Sequence, residues 1–484
     1  MKQTAPYRHR HLVSLGSGLL LLAILTLEFA YIWQSYYADV IIQPFFRRGN
    51  WVVILIYTVF TAVFFKAYDC IQYGYLKRND LIYNQGIAIC MVNFITYFQI
   101  SAIGRRFLPI TPLLFLTVLD LILIVCWALL VNQLYFRLYP PRKLIIVYGS
   151  RHAAELVMKM SARVDKYMIC ESIDIAKGFS NIVASLQSFD GVILCDIPAE
   201  IRNDLLKHCY ANNLRAYVSP KISDILLRGS GEIRLFDTPL LLCRNEGLTL
   251  EQRFAKRLVD LLISSVLLLL TSPILCICAI AIRLDDGGPI LYRQERLTRG
   301  GKHFHVLKFR SMIQNAEANG QAVLAAEHDC RITRVGAVLR RFRLDELPQL
   351  FNILKGDMSL VGPRPERPSL TEEYAKQYPE FPFRLQVKAG LTGYAQVIGT
   401  YDTDPFDKLK MDLMYIEQYS LLLDFRLMLM TVKIAFFPPK TNAAERELLR
   451  QAVKQDPSTD KTTDVLISDT THSESAAVKK GETP

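Results

Sequence analysis

Two adjacent acids, Asp345 and Glu346, stand in the basic stretch RFRLDELPQL and are the strongest candidates for chemistry in this sequence. Pro348 suits the first turn of a helix, where its missing N–H costs nothing, and Gly356 suits the end of one. A helix is therefore predicted over 346–355. Its positive pole would keep both carboxylates ionised and would attract phosphate groups.

Adjacent ionised acids repel each other unless cations lie close to them. The flanking residues Arg340, Arg341 and Arg343 supply part of that compensation. Mg²⁺ would supply more, because it prefers one or two carboxylates together with substrate phosphate oxygens. The simpler alternative is a helix-capping pair worth about 1 kcal/mol. That alternative leaves the glycine- and proline-rich stretch GDMSLVGPRP directly behind the acids unexplained.

The segment that follows Gly287 is dense in glycine, arginine and lysine, which predicts contact with phosphate. The Gly300-Gly301 pair can form a tight turn that exposes backbone N–H groups to an anion. The letters KFRSM predict a strand with two basic side chains on one face. The alternative is an ordinary basic surface that touches anionic lipid. The basic residues of this segment are Arg293, Arg296, Arg299, Lys302, Lys308 and Arg310.

Three stretches of the chain resemble the core of the bacterial sugar transferases, over about residues 250–437. They read RQERLTRGGKHFHVLKFRSM, LDELPQLFNILKGDMSLVGPRP and KAGLTGYAQVIG. The family comprises the polyprenyl-phosphate hexose-1-phosphate transferases that begin capsule and exopolysaccharide synthesis. The resemblance implies an α-rich, monotopic phosphoglycosyl transferase domain. It also implies transfer of a hexose 1-phosphate from a UDP-sugar to undecaprenyl phosphate, with release of UMP.

The resemblance assigns roles to particular residues of this chain. Asp345 corresponds to the aspartate that attacks phosphorus and forms a phosphosugar-enzyme intermediate, and Glu346 to the glutamate that helps to hold Mg²⁺. Lys308, Arg310 and Arg364 match motif positions and are expected to bind substrate phosphate. We add Arg293 and Lys302 of the basic segment to that phosphate-binding set.

Four positions depart from the family pattern. Thr298 stands where a glycine is usual, Ala389 replaces a proline, Tyr394 replaces a tryptophan and Thr400 stands where an arginine is expected. None of them belongs to the acidic pair. They leave the choice of hexose open.

The whole chain has the composition of a protein that lies partly in lipid. Its 484 residues suggest about three domains, and 51% of them are hydrophobic. The net charge of +11 is suited to anionic lipid or phosphorylated substrates. No nucleic-acid-binding signature is present, so we expect no nucleic-acid partner. The ten cysteines form no CxxC pair, which disfavours a zinc site or a disulfide framework.

The first part of the sequence predicts an N-terminal four-helix transmembrane unit over 1–136. Its loops carry more lysine and arginine on the side of both termini, so both should face the cytoplasm of a bacterial inner membrane. Asp120 lies inside the last span, where an acid either marks a function or faces a neighbouring helix. The apolar stretches are 12–33, 51–65, 82–103 and 111–131.

Alternating strand and helix patterns predict an α/β Rossmann-like middle domain over 137–248. The turn after its first strand has only the first glycine of a dinucleotide fingerprint, Gly149, and Arg151 stands where the backbone must approach pyrophosphate. A structural or regulatory role is therefore favoured over nucleotide binding.

The catalytic domain is predicted over 249–438, followed by a mostly disordered tail over 439–484. Its apolar run 258–284 contains Ser272-Pro273, where a helix break is expected. A spanning helix would place the rest of the chain outside the cell, whereas a re-entrant helix would keep it in the cytoplasm, beside its nucleotide substrate. We favour the re-entrant helix.

Two other functions are compatible with the sequence. A glycosyltransferase would move only the sugar onto a lipid and release UDP. A membrane scaffold for polysaccharide assembly would need no intact acidic pair. The resemblance to large members of the family is also compatible with a homodimer.

Overall fold

The computed structural model describes most of the chain. The described residues are 10–38, 49–149, 156–157, 160, 163, 165–235, 237–243, 247–313, 329, 331–399 and 403–436. They fall into two compact units, which meet in sequence between Ser219 and Pro220. The predicted tail, Thr400 and the turn that contains Arg151 lie outside the described residues.

The first unit begins with four long apolar helices: α1 (Arg10–Ile32, continued by a π-helical turn, Trp33–Tyr37), α2 (Gly49–Ala67), α3 (Arg78–Ile103) and α4 (Thr111–Leu138). Each is long and apolar enough to cross a bilayer, and a fifth such helix among the described residues lies in the second unit. The chain is therefore a membrane protein of mixed helix and sheet content.

The intramembrane acid Asp120 is buried against a neighbouring helix. Asn93 donates its amide N–H to Asp120 Oδ2 at 2.9 Å, and Tyr57 donates its hydroxyl to Asn93 Oδ1 at 3.0 Å. These contacts join α2, α3 and α4 and satisfy polar groups that would be costly in lipid. Of the two alternatives for Asp120, the structure shows the contact with a neighbouring helix.

After α4 come four strands, β1 (Arg142–Tyr148), β2 (Tyr167–Asp174), β3 (Gly191–Cys195) and β4 (Arg215–Val218). They form a parallel sheet in the order β2-β1-β3-β4. Gly149, which follows β1, lies so close to the turn after β3 that a Cβ atom there would stand 2.8 Å from the carbonyl oxygen of Asp196. The turns after β1 and β3 are thus in contact at the carboxyl ends of these strands, where such folds bind ligands. The helices that connect these strands include α5 (Phe179–Leu186) and α6 (Ala199–Ala211).

The second unit surrounds an apolar core to which Leu350, Ile353, Met358 and Leu413 contribute. Its helices are α7 (Ile222–Arg228), α8 (Leu250–Asp286), α9 (Arg334–Arg341), α10 (Gln349–Lys355), α11 (Pro368–Gln377), α12 (Tyr394–Ile398), α13 (Pro405–Glu417) and α14 (Leu421–Phe436). Its strands are β5 (Gly231–Leu235), β6 (Thr238–Leu242), β7 (Leu291–Leu297), β8 (His303–Phe309), β9 (Ser359–Val361) and β10 (Gly390–Thr392). Helix α7 and the β5–β6 hairpin thus belong to this unit, whereas the sequence analysis groups them with the middle domain.

Helix α8 runs without interruption through Pro273, although the sequence analysis predicts a break at Ser272-Pro273. Proline has no N–H to offer the carbonyl of Leu269, four residues earlier. The hydroxyl of Ser272 donates to that carbonyl at 2.8 Å and takes the place of the missing bond. The local backbone requirement is therefore met without ending the helix.

The first turns of α8 are tied to the body of the second unit by buried polar contacts. Arg257 donates to the carbonyls of Ile353 and Leu354, the last turn of α10, at 2.6 and 2.8 Å. Asp260 accepts from the hydroxyl of Ser359 at 3.1 Å and from the N–H of Leu360 at 3.0 Å. These bonds fix the helix α10 and the strand β9 to the membrane helix.

Candidate active site

The acidic pair lies in a single 3₁₀ turn, Leu344–Glu346, and not inside an α-helix. Arg343 enters that turn in the left-handed conformation, with φ at 53°. Helix α10 begins only at Gln349, so the predicted start at 346 is wrong. The turns before it have the i+3 to i hydrogen bonds of a 3₁₀ helix, such as that from the N–H of Leu347 to the carbonyl of Leu344.

The predicted end of the helix is confirmed. Gly356 caps α10 with φ at 100°, a conformation that favours glycine. The short helix is therefore bounded by a 3₁₀ turn that carries the acids and by a left-handed glycine.

Glu346 is held between two cations that come from distant parts of the chain. Arg364 donates from Nη2 to Glu346 Oε1 at 3.2 Å, and Lys308 Nζ lies 3.7 Å from the same oxygen. The Glu346 side chain is 15% exposed and that of Arg364 is 45% exposed. The carboxylate is thus mostly enclosed, while the guanidinium beside it also reaches the surface.

The two acids differ in their protonation properties. Burial works to raise the pKa of Glu346, but Arg364, Lys308 and Arg343 outweigh it and hold that pKa at about 2. Burial, and then the charge of Glu346, raise the pKa of Asp345, while Lys308 and Arg340 oppose the rise. Glu346 is therefore a firmly ionised acid, and Asp345 is the more basic carboxylate of the pair.

Lys308 is affected in the opposite sense. Burial lowers the pKa of its ammonium group, and the charge of Glu346 opposes that change. The charge of Glu346 also raises the pKa of Arg364, which stays protonated. The cluster is a coupled arrangement of two acids and surrounding cations, suited to a substrate that carries further negative charge.

Asp345 and Glu346 together are called the dyad below. Of the residues predicted to bind phosphate, the structure places Lys308 and Arg364 against the dyad. Arg293 and Lys302 are exposed on the antiparallel β7–β8 hairpin. Arg310 is buried just beyond the end of β8, where its N–H donates to the carbonyl of Ile290 at 3.0 Å. Within the described ranges, no group of three or more acidic, histidine or cysteine side chains is arranged as a metal site.

Asn352 joins the helix behind the acids to the strand that carries Lys308. Its amide donates to the carbonyl of His305 at 2.8 Å, and its Oδ1 accepts from the N–H of Leu307 at 2.9 Å. The sequence analysis missed this residue. A buried asparagine in the apolar stretch QLFNILK was the available signal, because a buried amide needs partners.

Two of the departures from the family pattern meet in space. The N–H of Ala389 donates to the hydroxyl of Thr298 at 3.2 Å, and that hydroxyl donates to the carbonyl of Asp357 at 2.9 Å. A proline at 389 would have no N–H to satisfy, and a glycine at 298 would have no hydroxyl to accept it. Thr298 and Ala389 therefore satisfy each other's hydrogen-bonding groups in this chain.

Comparison with known proteins finds similarity in the part of the chain that contains the acidic pair. Residues 251–438 match the model of the family described as bacterial sugar transferase. The chain is 42% identical over 183 residues to the UDP-N-acetylgalactosamine-undecaprenyl-phosphate N-acetylgalactosaminephosphotransferase of Aeromonas hydrophila, a match that covers 37% of this chain and 43% of that protein. It is 39% identical over 211 residues to the UDP-glucose:undecaprenyl-phosphate glucose-1-phosphate transferase of Escherichia coli K12, covering 43% of this chain and 44% of that protein.

A shorter relative is matched over most of its length. The chain is 42% identical over 183 residues to the UDP-glucose:undecaprenyl-phosphate glucose-1-phosphate transferase of Caulobacter vibrioides, and the match covers 37% of this chain and 68% of that protein. The chain therefore belongs to the bacterial sugar transferase family. It spans less than half of the length of the first two relatives.

Proposed function

We propose that this protein transfers a hexose 1-phosphate from a UDP-sugar to undecaprenyl phosphate and releases UMP. The observation that carries the proposal is the Asp345-Glu346 pair, held beside Lys308 and Arg364 within the region that matches the family. The names of the relatives support the donor and the acceptor. The product would be the first lipid-linked intermediate of an exopolysaccharide or a capsule.

The chemistry proceeds in two displacements at one phosphorus atom. A carboxylate oxygen of Asp345 attacks the phosphorus that bears the sugar, and the bond from that phosphorus to the UMP oxygen breaks, so UMP leaves. A phosphate oxygen of undecaprenyl phosphate then attacks the same phosphorus, and the carboxylate of Asp345 leaves. Asp345 attacks as its carboxylate, and Lys308 and Arg340 favour that ionised form against the effect of burial.

Lys308 and Arg364 neutralise negative charge during both displacements. Each lies against Glu346, and the exposed guanidinium of Arg364 is placed to meet a diphosphate as well. Phosphoryl transfer depends mainly on such positioning and charge neutralisation. Their contacts with Glu346 hold both cations ready before the donor binds.

The carboxylates of Asp345 and Glu346 also fit Mg²⁺ as ligands. Adjacent carboxylates without a third acidic ligand suit an ion that completes its coordination with phosphate oxygens and water. We propose Glu346 as the residue that would hold this ion, because the contacts of its carboxylate with Lys308 and Arg364 both fall on one oxygen, Oε1. The ion would neutralise charge on the donor diphosphate.

We further propose that α8, although helical throughout, is kinked at Pro273 within the inner leaflet, so that both of its ends and the catalytic unit stay in the cytoplasm. A straight helix of 37 residues would be about 55 Å long. Yet Arg257 near its start contacts α10, while Cys278 and Ile282 near its end pack against Phe309 and Leu339 of the same unit. Contacts at both ends support a re-entrant path.

The topology has a direct test. Single cysteines introduced on either side of 258–284 should both be labelled from the cytoplasmic side of inverted vesicles. Labelling of the region after 284 from outside intact cells would contradict the proposal. The four-span unit over α1–α4, its cytoplasmic termini and a homodimer also stay predictions; the same labelling scan and the mass of the purified protein in lipid discs would test them.

The reaction itself is tested with purified protein, undecaprenyl phosphate, Mg²⁺ and a panel of UDP-sugars. UMP is expected with at least one hexose donor, and Asp345→Ala should abolish it. Release of UDP would show that the anomeric bond is cut, as in a glycosyltransferase. Intact donor in every reaction would favour a scaffold role.

A further inference from the structure

The loop 363–366, which carries Arg364, is held by hydrogen bonds to every one of its carbonyl groups. The four donors come from β7, from the 3₁₀ turn Phe381–Gln386 and from β10. The pairs are Gly390 N–H to Pro363 at 2.9 Å, Arg384 Nη2 to Arg364 at 3.0 Å, Arg296 Nη1 to Pro365 at 3.1 Å and Leu297 N–H to Glu366 at 3.2 Å. The loop is thus fixed along its whole backbone.

Arg384 is the buried member of this set. It is 5% exposed, and its Nη2 lies 2.7 Å from Oδ2 of Asp412, which is 1% exposed on α13. The same nitrogen donates to the carbonyl of Arg364, and Nη1 lies 3.8 Å from Glu366. Its charge is balanced inside the protein, so Arg384 is not placed to meet a substrate phosphate.

The contact reaches the dyad through one residue. Arg384 holds the backbone of Arg364, and the side chain of Arg364 donates to Glu346 at 3.2 Å. A guanidinium presents several N–H groups in a fixed planar fork, which lets it form an ion pair with a carboxylate and donate to a carbonyl at the same time. An ammonium at this position would have to give up part of that geometry.

We propose that Arg384, supported by Asp412, is a positioning residue for Arg364. It fixes the backbone from which the Arg364 guanidinium reaches Glu346 and the donor diphosphate. The inference rests on the proposed function, since it gives Arg384 a role in that same reaction. Nothing in the sequence distinguishes Arg384 from the many phosphate-binding candidates; its burial and its two partners do.

The first test compares turnover numbers per active site. Arg384→Lys should lower kcat by about 10- to 100-fold, as loss of a supporting contact typically does. The KM for the UDP-sugar should change by less than about 3-fold, because an interaction that matters in the transition state lowers kcat and kcat/KM together. Counting sites by the burst of UMP in the first turnover removes the contribution of unfolded protein.

The second test asks whether the effect passes through Arg364. Arg364→Lys keeps a positive charge and should retain measurable turnover. In that background, Arg384→Lys should lower kcat per site by no more than about 2-fold, because residues that act as a unit are not additive. Asp412→Asn should behave like Arg384→Lys, and it carries the test if the arginine variant does not fold.

Two controls separate positioning from general damage. Asp424→Asn disturbs another buried ion pair of this unit, Lys256–Asp424, and its effect on kcat per site should multiply fully with that of Arg364→Lys. Arg228→Gln, at an exposed arginine of α7, should leave turnover unchanged.

The result that overturns the inference is wild-type kcat per site in both Arg384→Lys and Asp412→Asn. Effects of Arg384→Lys that multiply fully with Arg364→Lys would overturn it equally. Failure of the wild-type protein to release UMP is a different result, and it would contradict the proposed function itself.

Discussion

Two groups of charged side chains in the catalytic unit differ in how completely their charges are paired and shielded from solvent. In the first, Lys256 Nζ lies 2.6 Å from Oδ2 of Asp424, whose Oδ1 accepts the hydroxyl of Tyr415 at 2.8 Å. In the second, both cation contacts of Glu346 fall on one oxygen, and Arg364 is 45% exposed.

The first group is structural, whereas the second group is prepared for a ligand. Lys256 and Asp424 balance each other and are almost completely closed off from solvent where α8 meets α14. The dyad has more cations near it than it needs, since Lys308, Arg340, Arg343 and Arg364 all act on its two carboxylates. Excess positive charge at a partly open carboxylate is what a diphosphate donor requires.

The largest expected effect separates the two groups by activity. Asp345→Asn keeps the shape of the side chain but removes the attacking carboxylate, so UMP release should fall by more than about 10³-fold, as loss of a nucleophile commonly does. Asp424→Asn should retain at least a tenth of wild-type kcat per active site. UMP release by Asp345→Asn at a rate near wild type would contradict the distinction between a catalytic group and a structural group.

The next effect separates the groups by stability. Lys256→Met leaves Asp424 buried without its cation and should lower the free energy of unfolding by about 3–5 kcal/mol. Replacing both partners, in Lys256→Met with Asp424→Leu, should recover most of that loss because no unpaired charge remains. Denaturant unfolding in detergent measures both. A double variant less stable than the single one would show that the pair itself holds the helices.

A smaller effect is expected where Thr298 and Ala389 meet. Thr298→Gly leaves the buried N–H of Ala389 without its acceptor and should cost about 1–3 kcal/mol. Adding Ala389→Pro removes that N–H and should restore part of the stability. A thermal-unfolding cycle of the four proteins gives the coupling, and full additivity would contradict the compensation.

The smallest effect concerns pH. In metal-free protein, the pKa of Glu346 is about 2, against an ordinary value of 4.5. A lowered carboxyl pKa adds stability that is fully present above pH 4.5 and is lost as the pH falls towards 2. The stability of the wild type relative to Glu346→Gln should therefore be constant from pH 7 to 5 and decline from there to pH 3. A difference that grows on acidification would contradict the assigned direction.

The sequence predicted the parts of the site that lie in compact motifs. Asp345, Glu346, Lys308 and Arg364 were all named from short stretches, and the structure brings them together. The 3₁₀ turn was not predicted, because Pro348 and the left-handed Arg343 shift the start of α10 in a way that residue preferences do not specify.

Contacts between segments that are distant in the chain could not be predicted from the sequence. Arg384 and Asp412 are separated from Arg364 by 20 residues or more, and no periodic pattern links them. The sequence also could not show which basic residues lie at the site. Arg293 and Lys302 belong to the same basic segment as Lys308, but they lie exposed on the hairpin. Burial and partners depend on the packed fold, which composition alone does not determine.

The central claim is that Asp345 becomes covalently bonded to phosphorus. Incubating the protein with a labelled UDP-sugar in the absence of undecaprenyl phosphate, followed by acid quench and peptide mass spectrometry, tests it directly. We predict a hexose-phosphate adduct on the peptide that contains Asp345, which disappears when undecaprenyl phosphate is added. Turnover at the normal rate with no adduct at Asp345 would contradict the claim.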